Sequence, residues 1–254
     1  MTSESVFEAY ERRLASSRER FVSAASAREV ANGSIGSEPL EIFLMWFTAL
    51  GQHMARPVAG WLRRAGERCQ QLGAAELGKA LVRHAGRADG HDQALRDGAR
   101  SLVRRWNGRR GEAPIDTGRL LGALPTGGVR RYVELHRRVT GGPAPWGQIA
   151  IEYEIDRLST TWCGAFVRTC LRTLGPDLRP YLSFLEDEVQ PPDAARSSFH
   201  AEQLDRFLRE RPEALEDLAP AGEGALDAYA EYLDDCLWLT RSEAIFRPAG
   251  PPVA

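Results

Sequence analysis

Lysine is nearly missing from this chain. Lys79 is the only one among 33 basic residues, so the other 33 − 1 = 32 are arginines, and asparagine is confined to Asn32 and Asn107. That skew is typical of GC-rich coding, and it takes special weight away from any single arginine. The formal charge is −2 over 254 residues, which gives no support for the basic surface that nucleic-acid binding draws on. No apolar run approaches about 20 residues, so no segment is expected to span a membrane. The N-terminus MTSESVFEAYERRL is polar and amphipathic, without the apolar stretch of a signal peptide, so the cytoplasm is the expected compartment. The four cysteines, Cys69, Cys163, Cys170 and Cys236, have no CxxC spacing, which argues against a zinc knuckle or a dithiol redox centre. Cys163 and Cys170 are expected to pack as small apolar residues. There is no GxSxG elbow, P-loop or strand-borne GxGxxG.

Strand-like alternation is also missing, whereas helical periodicity is present almost everywhere. An all-α single domain is therefore expected, with 43% hydrophobic and 27% charged residues to build a core and a solvated surface. Helices are predicted over about 3–25, from Ser37 onward with a division at Pro57, over 74–107, over 127–139, and from Trp146 to a stop at Gly175 and Pro176. Others are predicted over 178–190, 193–210 and 223–246, and Asp116 is placed to cap a short one. Residues 1–36 are expected to form a helix and loop packed on a bundle of residues 37–246, with 247–254 a disordered tail.

Polar residues interrupt the apolar stripes. His84 and His91 stand seven apart in LVRHAGRADGHDQAL, on the predicted stripe of Leu77, Leu81, Ala88, Leu95 and Leu102. His53 follows Trp46, Ala49 and Leu50 inward. In GQIAIEYEIDRLSTTW the apolar face is Ile151, Ile155, Leu158 and Trp162, with Glu154 at its edge. Glu152 points about 100° away, toward Gln148 and Asp156, so Glu154 is the carboxylate expected to be buried and to need a cation. Glu188 continues the stripe of Leu178, Tyr181 and Leu185, while His200 shares a face with Leu204 and Phe207, with Asp193 two turns before it. A lone histidine on such a face is usually a core residue, and His136 is read that way. Several histidines and carboxylates on separate helices point instead to metal or substrate binding. With no thiolate among them, iron or manganese suits the set better than structural zinc.

The segments HAGRADGH, IAIEYEIDRLS and LSFLEDEVQPPDAARSSFH together resemble the ligand-bearing helices of the haem-oxygenase-like dimetal oxidases and oxygenases. The resemblance implies a haem-oxygenase-like bundle of seven or more helices and two ferrous ions, with manganese as an alternative metal and O2 as co-substrate. It implies ligands among His53, His84, His91, Glu154, Glu188, Asp193 and His200, with Arg196 binding the substrate carboxylate. His84 then stands where the family often has Glu, and Arg196 stands where its last His would be. The substrate implied is a small molecule such as an aliphatic amino acid, oxidised by C–H abstraction to a desaturated or C–N cyclised product in specialised metabolism. The azetidine-forming branch of the family is the nearest in ligand make-up. No nucleic-acid or membrane partner is expected, and a homodimer is the candidate assembly. The competing readings are a metal-free enzyme of the same fold, like thiaminase II or the quinone-forming oxidase, and a non-catalytic helical binding protein.

Overall fold

The computed structural model describes residues 5–109, 114–182, 185 and 195–242, apart from the side chains of 195–198. All regular elements among the described residues are helical. They are α1 (Val6–Ser23), α2 (Ala25–Asn32), α3 (Ser37–Ala55), α4 (Val58–Gln71), α5 (Ala75–Ala85), α6 (His91–Arg109) and α7 (Thr117–Leu121). After these come α8 (Gly127–Gly141), α9 (Gly147–Leu158), a π-helical segment (Ser159–Cys163), α10 (Gly164–Leu174), α11 (Ala195–Glu210) and α12 (Leu215–Arg241). No described helix is long and apolar enough to cross a membrane.

Local chemistry accounts for the boundaries. Ser5 and Glu8 close a reciprocal capping box on α1, and the Asp116 carboxylate accepts from the Gly118 and Arg119 amides to start α7. Ser37 is the first residue of α3 rather than its cap, which falls on Gly36. Pro57 divides α3 from α4 as the sequence requires. Gly175, at φ 100°, ends the run from α9 through α10 in a conformation that only glycine adopts readily. The 74–107 helix is a correction. It breaks between α5 and α6, where Gly90 takes φ 91° and the chain turns through Gly86–Gly90. The C-terminal helix also begins earlier than expected, at Leu215, because Pro220 sits within it without ending it.

The long helix α12 runs through the middle and packs against α1, α2, α3, α8 and α9. Its crossing with α8 is close enough that a Cβ on Gly128 would lie 2.2 Å from the Tyr232 amide nitrogen. Gly66 of α4 and Gly78 of α5 face one another similarly, each with the other's carbonyl oxygen within 2.6 Å of a Cβ position. Those contacts set the position of α5. Helix α6 is held to α3 by a buried ion pair, in which the Arg105 Nη1 donates to Glu41 Oε1 at 2.5 Å. Helix α1 belongs to the same core, since Tyr10 and Leu14 are fully buried against it. Segment 247–254 and the second half of the predicted 178–190 helix, apart from Leu185, lie outside the described residues.

Candidate metal centre

Three helices bring one polar group together inside the bundle. His84 comes from the last turn of α5, Glu152 from α9 and His200 from α11, and one ligand atom from each lies within 4.8 Å of the other two. They form part of the surroundings of a cavity of about 180 Å³, into which His84, His91, Glu152, Asp156 and Arg87 project beside apolar walls from α3 and α6. Phe47, Gly51, Met54 and Leu95 supply much of those walls, and Tyr132, Tyr229 and Tyr232 reach in from α8 and α12.

His200 is the best-defined member. It is 1% exposed, and its Nδ1 is bonded to the Asp156 carboxylate. Its Nε2 is buried and has no hydrogen-bond partner among the described residues. A carboxylate on one ring nitrogen fixes the tautomer and leaves the other nitrogen as a lone-pair donor, the usual dressing of a metal-bound histidine. The ring lies edge-on to His84, with centroids 4.4 Å apart at 78°. His84 in turn stacks on Phe199 at 5.3 Å and 16°. Both imidazoles are thus oriented by packing as well as by hydrogen bonds.

Helix α9 supplies the carboxylates. Gln148, Glu152 and Asp156 follow at i, i+4 and i+8, and that stripe is polar in an otherwise apolar helix. Gln148 Nε2 donates to Glu152 Oε1 at 2.6 Å. The stripe continues through Ser159 and Cys163, which also line the cavity and lie in the π-helical segment. Such single-turn π insertions recur at functional sites because they rotate the following residues onto a new face. Burial raises the Tyr132 phenol well above its ordinary pKa, and the Glu152 and Asp156 carboxylates add to the rise. Tyr132 therefore stays protonated.

Glu154 is a correction. It is fully buried, as its place beside the apolar stripe implies, but the cation it meets is Arg18. Arg18 donates to both of its oxygens, at 2.6 and 2.8 Å, and Tyr10 donates to Oε1 at 3.0 Å. Helix α9 is enclosed on both sides, so the face chosen by hydrophobicity packs on the bundle while the polar one meets the cavity. His53 is a second correction. It does not line the cavity; its Nε2 lies 3.2 Å from the Ala123 carbonyl oxygen, and burial lowers its pKa. His84 and His91 both reach the cavity, through the turn between their helices rather than along one face. Glu188, Asp193 and the Arg196 side chain lie outside the described residues. Sequence reasoning missed Glu152, Asp156, Gln148 and Arg87; the fourfold spacing of the α9 stripe was the one available signal.

His136 is a core histidine, stacked on Trp61 with centroids 4.1 Å apart and planes at 8°. Burial holds it neutral, lowering its pKa from 6.5 to about 3. The folded pKa is the lower one, so between these values the unfolded chain binds a proton that the folded chain does not. The stability this neutral histidine contributes is complete above pH 6.5 and is lost as pH falls toward 3. The slope is at most about 1.4 kcal/mol per pH unit. Urea midpoints measured from about pH 7 to 4 should fall accordingly, and His136→Phe should flatten that part of the profile; an unchanged slope would count against the assignment.

Among solved structures, a domain of unknown function from Shewanella denitrificans, described as having a haem oxygenase-like fold, matches with a TM-score of 0.72. The match covers 98% of this chain and 100% of the other, at 16% identity. The fold is haem-oxygenase-like. No family model and no curated protein matches the sequence. The haem-oxygenase-like bundle thus carries a cavity bordered by two imidazoles and a carboxylate from three different helices.

Proposed function

We propose that this chain is a non-haem iron oxidoreductase that uses O2 to oxidise a small substrate, with one ferrous ion held by His84, Glu152 and His200. The observation that carries the reading is the buried, unpartnered Nε2 of His200, held in place by Asp156 within a group that includes a second imidazole and a carboxylate. Two histidines and one carboxylate with open positions suit non-haem ferrous iron, with manganese as an alternative. The second iron of the dimetal reading would draw on His91, which borders the same cavity, with Glu188 and Asp193 as its remaining candidates. Bound ferrous iron supplies the activation of O2 for C–H abstraction.

The chain's own residues bind, orient and shield the substrate. A cavity of about 180 Å³ suits a molecule the size of an aliphatic amino acid. Phe47, Met54, Leu95 and Ile155 keep water from its alkyl chain. Tyr132 offers a hydroxyl that does not ionise at neutral pH. Arg87 borders the cavity from an exposed position, where its guanidinium can take the substrate carboxylate in a two-point contact. It is better supported in that role than Arg196. The products proposed are a desaturated or C–N cyclised amino acid, as in the azetidine-forming branch.

Anaerobic reconstitution with ferrous iron should give at least one ion per chain, and aliphatic amino acids should accelerate O2 consumption. Failure of the wild-type protein to bind iron would overturn the reading. Arg87→Ala should leave bound metal unchanged and raise KM for a carboxylate substrate roughly tenfold, the loss of about 1.4 kcal/mol. An unchanged KM would remove Arg87 from the binding site.

A second reading, a metal-free enzyme of the same fold, rests on Cys163, which lines the cavity where a nucleophile would need to be. It requires that wild type turn over substrate with no metal bound and lose activity in Cys163→Ser.

A further inference from the structure

Behind Glu152, a chain of polar groups runs away from the cavity into the interface between α8 and α9. Gln148 is fully buried one turn before Glu152 and donates to it from Nε2. The same amide meets His136, whose Nδ1 lies 2.9 Å from Gln148 Nε2 and 3.1 Å from Oε1. The amide nitrogen carries two hydrogens, so it can donate one to the Glu152 carboxylate and the other to a neutral His136 Nδ1. That use fixes the amide's orientation, and with it the direction from which Glu152 is held. His136 is clamped in turn between Trp61 and the edge of Tyr132, whose centroid lies 4.5 Å from the imidazole.

The arrangement costs stability. His136 Nε2 is buried with no hydrogen-bond partner among the described residues, and burying an unsatisfied polar atom costs about 1–3 kcal/mol. A phenylalanine would fill the same slot against Trp61 without that cost. Gln148 is likewise a long amide in a place where leucine would pack. What the two polar residues provide, and apolar ones would not, is a directed donor to one carboxylate at the rim of the cavity.

We propose that Gln148 and His136 are positioning residues, which hold the Glu152 carboxylate oriented toward a divalent metal and thereby set the affinity of the site. The inference rests on the metal-site reading above, but it can fail separately. Neither residue touches the metal or the substrate in this scheme. Gln148 acts on Glu152, and His136 acts on Gln148.

Cobalt(II) serves as the probe, titrated into the full-length protein against a chromophoric chelator. Its visible spectrum reports coordination, and melting temperature is measured alongside. Gln148→Leu should weaken cobalt binding roughly 10–100-fold and alter the visible bands, while the melting temperature stays close to that of wild type. His136→Phe keeps the ring against Trp61 and should weaken binding in the same direction by a smaller factor. A purely structural role would move the melting temperature and leave the affinity of the folded protein alone. No cobalt binding by wild type overturns the metal reading and the positioning role together. Wild-type binding with unchanged affinity in both variants overturns the positioning role alone. If Gln148→Leu does not fold, His136→Phe decides, and unchanged affinity there overturns the proposal.

Discussion

Glu152→Ala is expected to abolish tight binding of ferrous iron or cobalt while the protein remains folded. Loss of a residue that merely supports a metal ligand costs about 10–100-fold in affinity, so loss of the ligand itself should cost more than about 100-fold. The stability change should be small, since Glu152 is only partly buried and borders a cavity rather than filling a packed slot. It loses the Gln148 contact, a hydrogen bond to a charged group worth about 1.5–3 kcal/mol at most. Metal counting after anaerobic loading, with calorimetry on the same samples, separates the two effects. Retention of wild-type metal affinity would remove Glu152 from the site and with it the α9 contribution to the proposed function.

Two residues further along, Glu154→Ala should do the opposite. Its carboxylate is fully buried and shared by Arg18 and Tyr10, and Arg18 is itself only 17% exposed. Removing one partner of a buried ion pair leaves the other charge uncompensated, at a cost of about 3–5 kcal/mol. For a domain of this size that is a fall in melting temperature of roughly 10 °C. Arg18 keeps its contacts with Glu11, so it is not left without any anion. At temperatures where the variant is folded, it should bind metal as wild type does. The double change Arg18→Met with Glu154→Leu should recover at least half of the lost stability, because apolar residues replace both buried charges at once. A metal defect in Glu154→Ala equal to that of Glu152→Ala would contradict the division of roles between the two carboxylates.

This pair also shows how far the sequence could be read. The helices were legible because their signals are local. Pro57 cannot continue α3, Asp116 caps the turn that follows it, and Gly175 takes a backbone conformation closed to other residues. The 74–107 segment defeated the same reading, because apolar periodicity continues in register across a glycine-rich turn. The turn at Gly90 is decided by φ, which periodicity does not report.

The sequence by itself determined an all-helical chain, most of its divisions, and the fact that histidines and carboxylates interrupt its apolar faces. Only the tertiary structure decided which of them meet. Periodicity ranks the faces of a helix by hydrophobicity on the assumption that one side looks inward and the other at water. Helix α9 breaks that assumption, since α12 packs on it from one side and α11 from another, with the cavity at its polar stripe. Glu154 therefore went to Arg18, a residue 136 positions earlier in the chain, and Glu152 to His84 and His200. Those partners lie on helices far apart in sequence, and only the packing of the bundle brings them within reach of one ion.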